Sequence, residues 1–222
     1  MHPSNREVKI KILTFSNQAH LKNYKDINDF PGSHYAVVTV GTFDGLHIGH
    51  QAIIARMKAI AAEKNGDTVL VTFDPHPRRV LNNNPTELRF ISSQKRKMQL
   101  LEHFGIDHII VIPFTRAFSK TPSEVFIKDY LVDKIKVRKL IVGYDHHFGR
   151  NREGNYKQLE KTGKKYGFDV EEIDAKYIDN TAVSSTKIRN ALMEGNVKLA
   201  NRMLGYEYSI AGKVIEGNKI GR

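Results

Sequence analysis

Short runs of aliphatic and β-branched residues alternate along this chain with stretches whose apolar positions recur every three or four residues. The apolar runs Val37–Val40, Thr68–Phe73, His108–Ile112 and Leu140–Val142 read as strands of a buried sheet, and Asp169–Ile173 reads as a further strand. Val8–Leu13 alternates instead, Val8, Ile10 and Ile12 against Lys9 and Lys11, and predicts a half-exposed edge strand. Helical spacing follows most of these runs. It extends from the turn after Gly45 to Lys64, where Asn65-Gly66 signals a stop. It recurs from Ser92 and Ser93 to Phe104 with Met98, Leu101 and Phe104 on one face, and after Pro122 through Val125, Phe126, Tyr130 and Leu131. Tyr156–Tyr166 and a segment opening at Ser184, with the stripe Ile188, Ala191 and Leu192, complete the set. Repeated strand-then-helix order predicts an α/β fold, a doubly wound parallel sheet with helices on both faces.

In such sheets ligands sit outside the carboxyl ends of the strands. Three loops of unusual composition fall there, around His47, Asp74 and Asp145, and are expected to converge on one crevice. In the first, Gly41-Thr42-Phe43-Asp44-Gly45-Leu46-His47-Ile48-Gly49-His50 leads from a strand into a helix. Two imidazoles three residues apart at a helix start share one side, beside free backbone N–H groups, and the missing Cβ of Gly49 leaves room for a ligand. That combination suits a polyphosphate. In the second loop, Pro75 and Pro77 stiffen Asp74-Pro75-His76-Pro77-Arg78. A further helix opens with Ser184-Ser185-Thr186-Lys187-Ile188-Arg189. One hydroxyl suffices for a cap, and cations in a first turn oppose the helix dipole unless an anion compensates them. This is therefore a second expected phosphate-binding end. On the same reasoning, Arg189→Ala should leave the unliganded protein as stable as before, or slightly more so.

Composition narrows the function classes. The chain has 222 residues, 40% of them hydrophobic and 27% charged, as in an ordinary globular protein. It has no run of eighteen apolar residues, and its first ten residues lack a signal-peptide apolar region, so neither a membrane partner nor export is expected. With no cysteine it has no disulfides or thiolate chemistry, which fits a cytoplasmic protein, and no zinc motif is present. The net charge of +11 is spread over groups such as Lys95-Arg96-Lys97, Lys134–Lys139 and Lys161–Lys165, read as solvated helix faces. No basic-plus-aromatic RNA-binding pattern accompanies them, so no nucleic-acid partner is expected. From Gly205 the character changes: Tyr208, Ile210, Gly212, Val214, Ile215 and Gly217 read as a strand and glycine turn opening a β-rich unit. The expected division is residues 1–204 and 205–222.

Four motifs, in order, resemble those of the bacterial bifunctional riboflavin kinase/FMN adenylyltransferase (FAD synthetase) family. They are Gly41 through His50, Phe73-Asp74-Pro75-His76-Pro77, Gly143-x-Asp145 through Phe148-Gly149, and Ser184-Ser185-Thr186-x-Ile188-Arg189. The first and last are shared by many nucleotidyltransferases; the Phe73–Pro77 motif is more particular to FAD synthetases. His146 departs from the pattern, standing where the family has Phe. The resemblance implies a Rossmann-like fold of the nucleotidyltransferase type and transfer of AMP from ATP to FMN, giving FAD and pyrophosphate. It implies catalytic roles for His47, His50, Asp145, Ser185, Thr186 and Arg189. ATP would be bound by Gly41, Thr42, Phe43, Asp44, Gly45, His47, Gly49, His50, Gly143, Asp145, Ser184, Ser185, Thr186 and Arg189. FMN would lie against Phe73, Asp74, Pro75, His76, Pro77 and Arg78, with Mg2+ carried on the polyphosphate and no metal site built from protein alone. The segment Tyr206–Arg222 resembles the first strands of the family's kinase barrel, incomplete here, so FMN adenylylation without riboflavin phosphorylation is expected of this chain and riboflavin kinase activity only of a full-length protein. Another nucleotidyltransferase would share both phosphate motifs without needing Phe73–Pro77. A class I aminoacyl-tRNA synthetase fragment needs a Lys-Met-Ser-Lys-Ser loop that is missing. A nucleic-acid-binding module explains the charge but leaves both helix ends as coincidence.

Overall fold

The computed structural model describes residues 21–81, 89–144, 148–149 and 154–212. The edge strand expected at Val8–Leu13 and the loop residues Asp145, His146 and His147 lie outside them. In chain order come β1 (Lys22–Tyr24), β2 (Ala36–Val40), α1 (Ile48–Lys64), β3 (Asp67–Asp74) and a short α2 (Pro77–Leu81). They are followed by α3 (Gln94–His103), β4 (His108–Pro113), α4 (Ser123–Val125), β5 (Val137–Gly143), α5 (Tyr156–Tyr166) and β6 (Asp169–Ile173). A hairpin, β7 (Tyr177–Ile178) and β8 (Thr181–Ala182), then leads to α6 (Ser185–Met193) and α7 (Val197–Leu204). The first six strands form one sheet in the order β1-β4-β3-β2-β5-β6. Every pair in it is parallel.

All five residues of β2 are buried, as a parallel strand covered on both faces must be. The two-residue period divides the strand residues between two cores. Val37, Leu70, Ile109 and Ile141 meet Ile54 and Met57 of α1 and Leu100 and Leu101 of α3. Val38, Val40, Val69, Val71, Ile110 and Leu140 face Phe126, Ile127, Leu131 and Leu159. A third cluster joins Ile188, Ala191, Ala200, Met203 and Leu204 of α6 and α7 to Ile91 and Val183, and Ile48 of α1 packs against it. The last two helices are thereby fastened near the start of α1.

Two expectations change. The helix after Pro122 widens: beyond α4 it continues as a π-helix over Phe126–Lys134, with the Ile135 N–H donating to the Tyr130 carbonyl five residues back at 3.1 Å. The longer turn rotates the buried face to Phe126, Ile127 and Leu131 and leaves Val125 exposed. In the tail, the described residues up to Gly212 form no strand, and Ile210 is 86% exposed. The rest of that β-rich segment lies outside the described residues.

Chain order reverses at β2. β3 and β4 lie to one side, β5 and β6 to the other. The loops ending β3, β2 and β5, those of Asp74, His47 and Gly143, therefore leave from three adjacent strands at a topological switch point.

Candidate active site

The turn from β2 into α1 is held in conformations that few residues adopt. Phe43 and Leu46 have φ of 48° and 36°, and Gly45 has 79°. Burial of the Phe43 and Leu46 side chains fixes the first two. At Gly45 a Cβ would also lie 2.8 Å from the Ile91 side chain, so glycine is required twice over. Later elements clamp the same backbone. The Tyr206 hydroxyl donates to the Gly45 carbonyl at 2.5 Å, and the Gln51 amide donates to the carbonyls of Leu46 (2.8 Å) and Leu204 (2.6 Å).

His47 caps α1. Its Nδ1 accepts from the His50 N–H at 3.4 Å, and the two rings stack with centroids 3.7 Å apart. An accepting Nδ1 places the proton of the neutral ring on Nε2. His50 also rests on Phe43, with ring centroids 4.5 Å apart. Burial, and then the neighbouring His47 and Lys97, hold its pKa well below the ordinary value of 6.5, so at pH 7 the ring is neutral. A Cβ on Gly49 would approach the His47 ring to 3.2 Å. The glycine thus makes room for the stacked imidazole, a use the sequence did not suggest.

Asp44 turns inward. Its carboxylate accepts from the N–H groups of Ile91 (3.1 and 3.2 Å) and Ser92 (3.2 Å) and pairs with the Arg189 guanidinium at 3.1 Å. The two side chains are 5% and 12% exposed. The Ser185 hydroxyl donates to the Asp44 carbonyl at 2.9 Å, while Ser184 caps α6 by accepting from the Lys187 N–H at 3.4 Å. The anion that compensates Arg189 is therefore part of the protein. Thr186 stands exposed in the first turn of α6, and Gly143 closes β5 one strand away.

At the end of β3, Phe73 is committed to packing, with Phe114, Phe118 and Phe126 at centroid distances of 5.5, 5.9 and 6.4 Å. Asp74 is exposed, Asp74–Pro75 is cis, and Pro77 and Arg78 begin α2. The His76 Nδ1 accepts from the Arg78 N–H at 3.1 Å, and its ring lies 5.3 Å from that of Phe90. Burial lowers the His76 pKa to about 4, assisted by Arg189, Arg78 and Lys97 and opposed by Asp44. A groove of about 460 Å³ adjoins this loop at Asp74 and is lined also by Gln94, Lys95, Met98, Val111 and Pro113. Another of about 540 Å³ lies past the end of β4, and no histidine lines either one.

Sequence reasoning placed Lys95-Arg96-Lys97 on a solvated face, but Lys97 is buried, with its Nζ donating to Thr72 Oγ1 at 2.9 Å. Burial pulls its pKa down to about 8 against the opposing pull of Asp44 and Asp74. Among the described residues, the buried side-chain polar atoms without a hydrogen-bond partner are His50 Nδ1, Ser92 Oγ, Arg96 Nε and Arg189 Nε. Ser92 and Arg189 are tied to Asp44, Arg96 lies in the first turn of α3, and His50 lies in the first turn of α1. Unsatisfied groups in one place are what an absent polar ligand leaves behind. The surplus is cationic, and among the described residues no group of three or more His, Asp or Glu side chains could hold a metal.

The sequence pattern of the FAD synthetase family matches residues 30–187. A bifunctional riboflavin kinase/FMN adenylyltransferase of Buchnera aphidicola (subsp. Acyrthosiphon pisum) is 38% identical over 202 residues, 91% of this chain and 63% of that protein. The protein of the same description from Listeria monocytogenes is 37% identical over 84% of this chain and 59% of its own length. The chain thus spans less than two thirds of the length of these relatives. A solved macrolide-efflux protein from Streptococcus pneumoniae superposes with a TM-score of 0.79 at 26% identity, covering 89% of this chain and 65% of that one. Among the described residues no helix is long and apolar enough to cross a membrane. Pantoate-β-alanine ligase from Francisella tularensis, at TM-score 0.50 and 13% identity over 83% of this chain and 85% of that one, shares the fold.

Two outcomes follow from the geometry. Arg189→Ala strands the buried Asp44 carboxylate with only neutral donors, so it should cost about 3 kcal/mol of unfolding free energy, read by urea denaturation. An unchanged midpoint would mean the pair holds nothing together. Separately, His50 and His76 have folded-state pKa values below 6.5 while the unfolded chain protonates near 6.5. Between pH 6.5 and about 4 the unfolded state therefore binds more protons, and their contribution to stability is lost as pH falls through that window. Melting temperatures should drop from pH 7 to 4.5, and His76→Gln should flatten the slope; a slope equal to wild type removes His76 from this account.

Proposed function

The chain belongs to the FAD synthetase family, and from that premise we propose that its crevice transfers the adenylyl group of ATP to the phosphate of FMN, releasing pyrophosphate. The observation that carries this reading is the convergence of two long helix N-termini, those of α1 and α6, on one anchored loop, with every orphaned buried polar atom of the described residues beside it. An FMN phosphate oxygen bonds to the α-phosphorus as the α–β bridging bond breaks. The nucleophile is already ionised at pH 7, so alignment and charge stabilisation, not a general base, are what the protein supplies.

In this reading ATP lies across the ends of β2 and β5. The rings of His47 and His50 donate to phosphate oxygens as charge moves toward pyrophosphate. Ser185, Thr186 and the edge of Arg189 left by its pairing with Asp44 face the outer phosphates. Gly41, Thr42, Phe43, Gly45, Gly49, Gly143 and Ser184 shape the nucleotide side, Asp44 holds that side together from within, and Asp145 orients the nucleotide or ribose. Mg2+ enters with ATP as part of the substrate, its ligands drawn from phosphate and water. FMN lies on the other side of β2, along Asp74 to Arg78 and in the 460 Å³ groove, whose Met98, Val111 and Pro113 suit an aromatic ring system. Phe73 supports that loop from the core. Residues 1–204 form the adenylyl-transfer unit, and residues from 205 begin a second unit to which riboflavin kinase activity belongs.

Incubation with FMN and MgATP should yield FAD and pyrophosphate in equal amounts by chromatography. His50→Ala should lower turnover by about 10²–10³-fold with little change in FMN affinity; near-native turnover would contradict the proposed role of the α1 N-terminus. Riboflavin and MgATP should give no FMN with this chain, and its appearance at a comparable rate would overturn the division at residue 204.

A further inference from the structure

An ammonium group carries three donors. Lys97 spends one, on Thr72 Oγ1 at 2.9 Å, and among the described residues makes no other hydrogen bond and no ion pair. Its side chain lies within a residue only 7% exposed. Buried charges are ordinarily paired. Here the nearby buried carboxylate, Asp44, is already occupied by Ile91, Ser92 and Arg189, and Asp74 is exposed to solvent. A methionine would fill this place without the cost of desolvating a charge, so the lysine is not there for packing.

Its position says what it faces. Thr72 and Asp74 lie on the same side of β3, near the carboxyl end, by the two-residue period of the strand. Gln94, Lys95 and Met98, which flank Lys97 on α3, line the 460 Å³ groove that also contains Asp74. On the other side, Lys97 is near enough to His50 to depress its protonation. The buried ammonium therefore lies behind the lining of the groove, on the α3 and β3 side of β2 and within electrostatic reach of His50.

We propose that Lys97 grips the phosphate of the flavin substrate, aligning that phosphate for attack beside His50. The inference rests on the reading of the site as an FMN adenylyltransferase. No proton is transferred: Lys97 neutralises and orients the attacking dianion, whose oxygen forms the new bond to the α-phosphorus as pyrophosphate departs. The ammonium belongs to the acceptor side because its hydrogen-bond partner is on β3 and its helix lines the groove, whereas the nucleotide motifs follow β2 and open α6.

Riboflavin is FMN without the phosphate, so a comparison of the two isolates this contact. Flavin fluorescence titrations of wild type and Lys97→Met should show FMN affinity falling about 10- to 100-fold, the loss of a charge-assisted contact, with riboflavin affinity unchanged. ATP affinity, measured by calorimetry on the same preparations, should also stay unchanged, and Lys97→Arg should regain part of the preference for FMN. If FMN and riboflavin weaken together, the lysine is structural; if ATP weakens instead, it serves the nucleotide; either result overturns the proposal. Should Lys97→Met fail to fold, Thr72→Val keeps the ammonium and must retain the preference for FMN, and loss of that preference counts against it. Wild type that makes FAD but binds both flavins equally defeats this inference alone. Wild type that makes no FAD from FMN and MgATP defeats the function as well.

Discussion

One carboxylate, that of Asp44, is taken out of water where the turn into α1, the start of α3 and the start of α6 meet. Alone, that desolvation would be too costly to survive folding. It is offset by two backbone N–H groups and a guanidinium, with the Asp44 carbonyl held by Ser185 as well. The partners lie 47, 48 and 145 residues away along the chain, so the contact forms only when all three segments are in place. Such an interaction adds little net stability over an apolar equivalent, but breaking half of it is severe. Its value is geometric: it fixes two helix N-termini relative to each other before any ligand arrives, and a preorganised site spends less binding energy on ordering itself.

The same pairing sets the charge of the crevice. With Arg189 committed to Asp44, the buried cation without an ion-pair partner among the described residues is Lys97. His50 and His76 beside it contribute donors and no charge, since His50 is held neutral by burial and then by His47 and Lys97, and His76 by burial above all. A full charge on each of these two rings would repel Lys97, and on His76 Arg189 as well; neutral rings let the four groups lie close together. The field there is positive but unsaturated, as the proposed site for two phosphorylated substrates requires.

Much of the architecture was legible from periodicity. The limits of α5 and β6 coincide with the apolar pattern, and α1 stops at Asn65, which adopts the left-handed conformation. Of the three strand-end loops expected to meet, the strand order starts those after β2 and β3 next to each other and next to Gly143 at the end of β5, while Asp145 lies outside the described residues. What the sequence hid depends on distance or on helix pitch. Nothing local marks Asp44 as the partner of Arg189, although cations in a first turn do signal that an anion is needed. In Lys95-Arg96-Lys97, successive residues point about 100° apart, so the three do not share one face and a basic run alone does not place all of them in solvent. The signal was present: Lys97, Leu101 and Phe104 fall at i, i+4 and i+7, so the lysine continues the apolar stripe. At Val125 the pitch itself changed, because a π-helix obeys no 3.6-residue rule.

In the proposed reaction, position on the sheet lets two substrates be handled without two domains closing over them. Among the described strands, β2 alone has its carboxyl end flanked both by β3, whose loop is the proposed flavin side, and by β5, whose end is the proposed nucleotide side. Adjacent parallel strands are about 4.8 Å apart. Groups that leave β3 and β2 are thus already within the span of two phosphates meeting in line, and no large motion is needed to bring them together. The shape of the anchored turn serves the same end. Unfavourable backbone at Phe43 and Leu46 is tolerated because their side chains are locked in the core, and it turns the chain sharply enough for His47 to cap α1 at once. A relaxed turn would need more residues and would move the imidazoles away from Lys97, separating the donors from the cation that the proposed reaction uses together.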